Sequence, residues 1–287
     1  MDSWSISKLL NWTADYFKKQ GREWPNLEAE ILLAHSLGLK RIELYTRHET
    51  ILKPEELAKF KELIKRRSQN EPIAYITGNQ PFMSLNFIVN RSVLIPRPET
   101  EQLVAVAIDT IKSSPVPRHP SLIADIGTGS GAIAVTIAKF VKDVKIIGID
   151  TSEEALKIAR QNAEQHQVTD RCEFRHGDLF EPIQEKFDLI LSNPPYIPTA
   201  VIDTLAVDVK DWEPRQALDG GEDGLTYIRK IINEAPDHLK PGGLLLIEIG
   251  FDQGDKAKSI AETIRKYKEI KIIKDLSGKD RILFCIT

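Results

Sequence analysis

From Ser121 onward the chain alternates short apolar runs with amphipathic stretches, and no other feature limits its fold so strongly. Strand-length runs fall at about 121–126, 144–150, 172–176, 187–192, 243–249, 270–274 and 281–286. Between them, apolar spacing of helical period predicts helices at about 131–141, 152–166, 224–239 and 254–268. A chain built this way forms a mostly parallel sheet with helices on both faces. Ligands of such sheets gather outside the carboxyl ends of the strands. The residues at those ends therefore carry the functional reading.

The first 75 residues differ. Ile6, Leu9, Leu10, Ala14 and Phe17 recur at helical spacing until Gly21. Asn26 can cap a second helix carrying Leu27, Ile31 and Ala34 on one face and ending near Gly38. Pro54 suits the first turn of a third, with Leu57, Phe60 and Ile64 on one side. Together these predict a small bundle. Its run Lys65-Arg66-Arg67 reads as a solvated helix end rather than a nucleic-acid contact. Phe82, Leu85, Phe87, Val89, Val93 and Leu94, spread among small and polar residues, predict a hairpin linker over 76–95. The segment Ile95-Pro96-Arg97-Pro98-Glu99-Thr100-Glu101 enters extended and starts a helix through Val104, Ala107, Ile108 and Ile111. Residues 113–120 read as a loop. The division is thus 1–75 helical, 76–95 linker and 96–287 α/β.

Four strand ends carry chemistry. Leu122–Ile126 runs into Gly127-Thr128-Gly129-Ser130-Gly131, a turn whose glycines admit a ligand close to the backbone. The spacing is Gly-x-Gly-x-Gly, not the dinucleotide fingerprint. The next strand ends in Asp150, which can accept both hydroxyls of a ribose or else cap the helix at Ser152-Glu153-Glu154. A third ends in His176-Gly177-Asp178-Leu179-Phe180. Asp178 can accept an adenine amino group or serve as a turn residue, Leu179 or Phe180 can cover the ring, and His176 reads as a satisfied surface residue. With Asn193 on the fourth, these residues describe an adenosine ligand without phosphate, since no Walker lysine follows the glycines. S-adenosylmethionine fits: its sulfonium makes the methyl electrophilic, so no metal or covalent nucleophile is needed, and no cluster of metal-ligating residues stands out in the sequence.

Asn193-Pro194-Pro195-Tyr196 closes the fourth strand. The tetrapeptide fits alkylation of a planar NH2 group, whose delocalised lone pair makes a poor nucleophile. The Asn193 side-chain carbonyl and the Pro194 backbone carbonyl can accept both N–H bonds and aim the nitrogen at a methyl group. Two prolines stiffen the loop, and Tyr196 can lie against the flat substrate group.

The net charge of −3 argues against a dedicated duplex binder. Cys172 and Cys285 form no metal spacing or disulfide framework and read as buried structural residues of a reducing compartment. The N-terminus lacks the pattern of a signal or transit peptide, and no apolar run reaches membrane length, so the expectation is a cytoplasmic monomer.

These residues resemble the protein-(glutamine-N5) methyltransferases that act on peptide chain release factors. The resemblance rests on Ile95–Glu101, the Asp125–Gly131 loop, Ser192–Ile197, Glu213-Pro214-Arg215-Gln216-Ala217-Leu218, Gly220–Leu225, Glu248-Ile249-Gly250, Asp280-Arg281 and Glu71–Gly78. It implies a class I S-adenosylmethionine-dependent methyltransferase domain, α/β and Rossmann-like with a mostly parallel seven-stranded sheet, after a small all-α domain that docks the substrate. It implies methylation of the glutamine side-chain nitrogen in the Gly-Gly-Gln loop of class I release factors, releasing S-adenosylhomocysteine. Gly127, Thr128, Gly129, Ser130, Gly131, Asp150, Asp178, Leu179 and Asn193 would hold the cofactor. Asn193, Pro194, Pro195 and Tyr196 would hold the glutamine amide, with Asn193, Pro194 and Tyr196 in catalysis. Several relatives have an aromatic residue where Leu179 stands. The competing readings are a ribosomal-protein glutamine methyltransferase and an adenine-N6 or guanine-N2 nucleic-acid methyltransferase; an NAD-dependent oxidoreductase and a non-catalytic cofactor-binding protein fit less well.

Overall fold

The computed structural model describes residues 4–113 and 121–287, so most of the loop expected at 113–120 lies outside the described residues. Five helices come first: α1 (Ile6–Lys19), α2 (Pro25–Leu37), α3 (Arg41–Thr46), α4 (Pro54–Ser68) and α5 (Ile73–Thr77). A hairpin of β1 (Asn79–Phe82) and β2 (Leu85–Ile88) precedes α6 (Pro98–Ser113). Then follow β3 (Ser121–Ile126), α7 (Ala132–Phe140), β4 (Val144–Asp150), α8 (Glu153–Gln165), β5 (Cys172–His176) and β6 (Phe187–Ser192). Short helices α9 (Thr199–Ile202) and α10 (Val207–Lys210) lead to α11 (Thr226–Glu234), β7 (Leu239–Glu248), α12 (Gly254–Thr263), β8 (Glu269–Lys274) and β9 (Asp280–Ile286). The chain divides into two compact units: Met1–Gly78 with Val207–Trp212, and Asn79–Ala206 with Glu213–Thr287.

The helical unit closes over Ile6, Phe17, Leu32, Leu33, Leu44 and Phe60. Its second helix starts two residues earlier than expected: Trp24 is the N-cap and Pro25 the first helical residue, leaving Asn26 inside the first turn. Proline is at home there because that position has no intrahelical N–H bond to lose. The buried face of α2 also differs: Ala34 is buried as expected, but beside Ala29, Leu32, Leu33 and Ser36, while Ile31 is half-buried and Leu27 exposed. The cause is two-sided packing, since α2 touches both α1 and α4. The basic run at the end of α4 is not wholly solvated. Arg67 turns inward and donates to buried Glu28 at 2.9 and 2.7 Å, and Arg66 forks onto Glu71 at 2.8 and 2.7 Å. Removing one partner of such a buried pair strands the other charge.

In the second unit the seven strands order as β5-β4-β3-β6-β7-β9-β8, with β9 antiparallel to both neighbours and the other pairings parallel. Alternate residues face opposite layers. Ile123, Ile146, Leu189 and Leu246 pack with α6 and α7, whereas Ala124, Ile147, Ile190 and Ile247 pack with α11 and α12. The hairpin turns at Met83-Ser84, both at positive φ, the backbone that matches strand twist in a two-residue turn.

Element ends moved where proline, glycine or a left-handed residue intervenes. β7 begins at Leu239 rather than near 243, because a register shift between Phe187 and Leu189 accommodates Pro241-Gly242-Gly243. α11 stops at Glu234 and passes into a 3-10 turn around Pro236. α12 stops at Thr263, just before Arg265 at φ 52°. Cys285 is buried and Cys172 partly so; both are free, and burial pushes each thiol up to about 12. Among the described residues no helix is long and apolar enough to cross a membrane.

Candidate active site

A cavity opens at the carboxyl ends of β3, β4, β5 and β6, enclosing about 920 Å³ of non-atom space with the open solvent at its mouth included. Gly127, Gly129, Asp150, Asp178, Leu179, Asn193, Pro194 and Pro195 all line it. Thr128, Ser130, Gly131 and Tyr196 do not.

The glycine turn shows why. Gly127 and Gly129 sit at φ 73° and 55°, and a Cβ on either would meet no protein atom within 4 Å, so their exposed side is open to a ligand. Thr128 is turned down, its hydroxyl donating to Asp125 Oδ2 at 2.7 Å. Ser130 is buried, and its carbonyl accepts Asn162 Nδ2 at 2.9 Å. Gly131 lies against α8, where a Cβ would come within 3.1 Å of Ala159. Asp125 forms the floor. Burial pushes its carboxyl up to about 7, against bonds from Thr128 and the Ala134 N–H, while Asp150 adds repulsion.

Asp150 is tied down from two sides. Its Oδ2 accepts the Gly129 N–H at 2.8 Å and its Oδ1 the Ser152 N–H at 2.9 Å. The Ser152 side chain, not Asp150, caps α8. Burial raises the Asp150 carboxyl against three backbone donors and His176. Each oxygen keeps a lone pair for a hydroxyl in the cavity. Asp178 lies 3.8 Å from Lys230. Leu179, at φ 48°, presents its side chain to the cavity, whereas Phe180 stacks on His238 at 4.7 Å inside the core. Of the two residues that could cover a ring, only Leu179 is in place. His176 is exposed and bonded to the Thr151 carbonyl at 2.9 Å.

The Asn193–Tyr196 loop is locked at both ends. Before it, the Ser192 hydroxyl donates to the Ile126 carbonyl at 2.7 Å, joining the ends of β6 and β3. After it, Gln253 Nε2 donates to the Tyr196 carbonyl at 2.9 Å. Ile197 exchanges backbone bonds with Leu218 and Gly220. Asn193 Nδ2 donates to the buried Thr100 hydroxyl at 2.9 Å, and among the described residues no donor is bonded to Asn193 Oδ1. Tyr196 points its hydroxyl at Glu248 Oε1, 3.4 Å away, instead of into the cavity. Burial raises the phenol further, as does the Glu248 charge.

Sequence reasoning left Thr100, Glu213 and Glu248 without roles and did not single out Asn162 or Gln253. Glu213 is buried and accepts the Ile95 N–H at 3.2 Å and Arg97 Nη2 at 2.5 Å, which fastens the extended segment before α6. Asn162 bonds both backbone groups of Ile88 as well as Ser130, tying the hairpin to the glycine turn. A buried polar residue on an otherwise apolar helix face is the one signal that marks Asn162 in sequence.

Residues 8–78 match the family model described as PrmC N-terminal domain, and residues 122–282 match one described as Methyltransferase domain. The chain is 44% identical over 282 residues to a release factor glutamine methyltransferase of Rhodopirellula baltica, spanning 98% of this chain and 95% of the relative. It is 45% identical over 253 residues to one of Geobacter sulfurreducens, spanning 88% and 86%. A methyltransferase of Pyrococcus furiosus has a similar fold, with a TM-score of 0.52 at 21% identity over 77% of this chain and 96% of that one.

Proposed function

The chain belongs to the release factor glutamine methyltransferases, and we propose that its cavity brings S-adenosylmethionine against the glutamine of the Gly-Gly-Gln loop in a class I release factor. The enzyme transfers methyl to the side-chain amide nitrogen of that glutamine. The observation that carries the site assignment is the juxtaposition, in one cavity, of a glycine turn, two strand-end carboxylates and an asparagine carbonyl left unbonded.

The lining fits the cofactor. Open space over Gly127 and Gly129 admits its backbone-hugging chain, Asp150 accepts the ribose hydroxyls, Asp178 the adenine amino group, and Leu179 covers the ring. Thr128, Ser130 and Gly131 support the turn from below. When bound, the cofactor supplies a methyl group on a positively charged sulfur. The protein's part is positional: Asn193 Oδ1 and the Pro194 carbonyl accept the two N–H bonds of the glutamine amide, with Pro195 stiffening the loop and Tyr196 bracing it from behind. As the N–CH3 bond forms and the S–CH3 bond breaks, the nitrogen becomes acidic and its proton leaves to solvent, so no strong base is required. A site that accepts two N–H bonds rejects glutamate, which has none. The helical unit is the docking part, and the enzyme works in the cytoplasm as a monomer on protein rather than nucleic acid.

The test is methyl transfer from labelled S-adenosylmethionine to a purified release factor, its Gly-Gly-Ala variant, a ribosomal protein fraction and total RNA. One methyl mass on the peptide holding the glutamine, absent in the variant, is expected. Label in RNA or in ribosomal protein alone would overturn the substrate.

A further inference from the structure

A small-molecule site buries most of its ligand's surface, and adenine is a flat ring with two broad faces. Leu179 is a single aliphatic side chain and can cover one of them. The other cover has to come from elsewhere on the cavity wall.

The helix α11 supplies it. Tyr227 and Ile231 lie one turn apart on the same side of this helix, and both line the cavity. Ile228, Ile231 and Ile232 form the stripe that α11 buries in the core. Tyr227 stands at the margin of that stripe, half-buried, with its side chain at the cavity wall. Among the described residues it is the only aromatic side chain that lines the cavity.

Lys230 shows which end of the cavity this is. Its ammonium lies 3.8 Å from Asp178 Oδ2 and 5.8 Å from the centre of the Tyr227 ring, over one face of it. One charge within reach of both puts the ring at the end of the cavity where Asp178 and Leu179 stand. An exposed ion pair adds little energy of its own, so the significance of Lys230 is positional. A cation over one face of a tyrosine ring leaves the other face for a ligand.

We propose that Tyr227 is a cofactor-binding residue, its ring covering the face of adenine that Leu179 leaves open while Asp178 takes the amino group. The assignment rests on the reading of the cavity as an S-adenosylmethionine site, and it says what in that site recognises the base. Recognition is then divided between an edge contact at Asp178 and a face contact at Tyr227.

Calorimetry with S-adenosylhomocysteine reads the face contact without any methyl transfer. Tyr227→Ala should weaken binding by about 10- to 100-fold, the range for losing one aromatic ring stacked on a base. Tyr227→Phe keeps the ring and should bind within about threefold of the wild type. A merely structural role is separated by a signal that only a neighbour of the base can give. In tyrosine-labelled wild type bound to S-adenosylhomocysteine, the Tyr227 ring protons, assigned by their loss in Tyr227→Phe, should show nuclear Overhauser effects to adenine H2 or H8. This second measurement uses the folded wild type, so it decides the assignment even where the alanine variant does not fold. Equal binding by wild type and Tyr227→Ala, or a bound wild type without an Overhauser effect between Tyr227 and adenine, would overturn the assignment and leave the cofactor reading standing. A wild type that binds no S-adenosylhomocysteine would instead remove the cofactor reading, and the assignment with it.

Discussion

Asn193 is where the chemistry and the sequence meet most directly. If Asn193 accepts a substrate N–H as proposed, Asn193→Ala removes that acceptor, so turnover should drop by about 100- to 1,000-fold, while cofactor affinity, measured by calorimetry, stays near the wild-type value. Wild-type turnover would dismiss the two-acceptor mechanism. Glu248 leads to a second expectation. Burial pushes its carboxyl from an ordinary 4.5 up to about 7, opposed by Thr100 and Arg281, with Glu99 adding repulsion and Tyr196 facing it. In the native state it is protonated where the unfolded chain is ionised, so the native state binds more protons between those values. Its contribution to stability is therefore full below about 4.5 and is lost as pH rises through about 7. Glu248→Gln does not titrate, and its Tm should fall less than that of the wild type between pH 5 and pH 8. Parallel Tm curves would show that Glu248 is not the group responsible. That Asn193, Asp150 and Asp178 line the cavity was legible because each lies at the end of a strand or just after it. Thr100 and Glu248 were not, because their meaning lies in a contact across 93 residues and in burial that no local pattern encodes.

At the scale of elements, the segment 215–225 holds the Asn193–Tyr196 loop by close backbone approach. Gly224, at φ 72°, would place a Cβ 2.4 Å from the Tyr196 carbonyl and 2.8 Å from Gln253 Nε2. Gly224→Ala must therefore shift the loop or break the Gln253 clamp. It should cost about 1–3 kcal/mol of stability and lower turnover more than it weakens cofactor binding, which denaturant unfolding and kinetics on one preparation can separate. A variant with normal stability and turnover would mean that the loop exit is not held there. All seven strands of the sheet were readable, the central ones because parallel strands buried on both faces are short unbroken apolar runs. The errors fell where a neighbour overrides the local pattern. α2 buries a different stripe because two helices press on it, and β7 extends through two glycines because β6 offers a shifted register. Helices of four to six residues such as α3 and α9 contain too few turns for periodicity to reveal.

For the molecule as a whole, the sequence separates a helical part from an α/β part because hydrophobic period changes from 3.6 to runs of strand length. It does not reveal that residues 207–212, deep in the second half of the chain, cluster with the first 78. Arg67 makes the point, since it lies 3.8 Å from Asp208 and is also paired with Glu28. Nor can the sequence tell which apolar residues of the helical unit stay outside. The folded unit leaves Trp24 62% exposed, Ile42 67% and Tyr45 57%, large side chains of the kind that anchor protein interfaces. If this unit docks the release factor, Trp24→Ala and Ile42→Ala should each raise the protein-substrate KM by roughly tenfold, the loss expected on truncating an interface anchor. Cofactor Kd should not change, because those residues do not line the cavity. A Gly-Gly-Gln peptide too short to reach the helical unit should be methylated equally by wild type and variants. Equal KM values with the intact release factor would remove these two side chains from the docking surface, and a matching loss on the short peptide would mean that they act through the fold of the enzyme rather than through contact with its substrate.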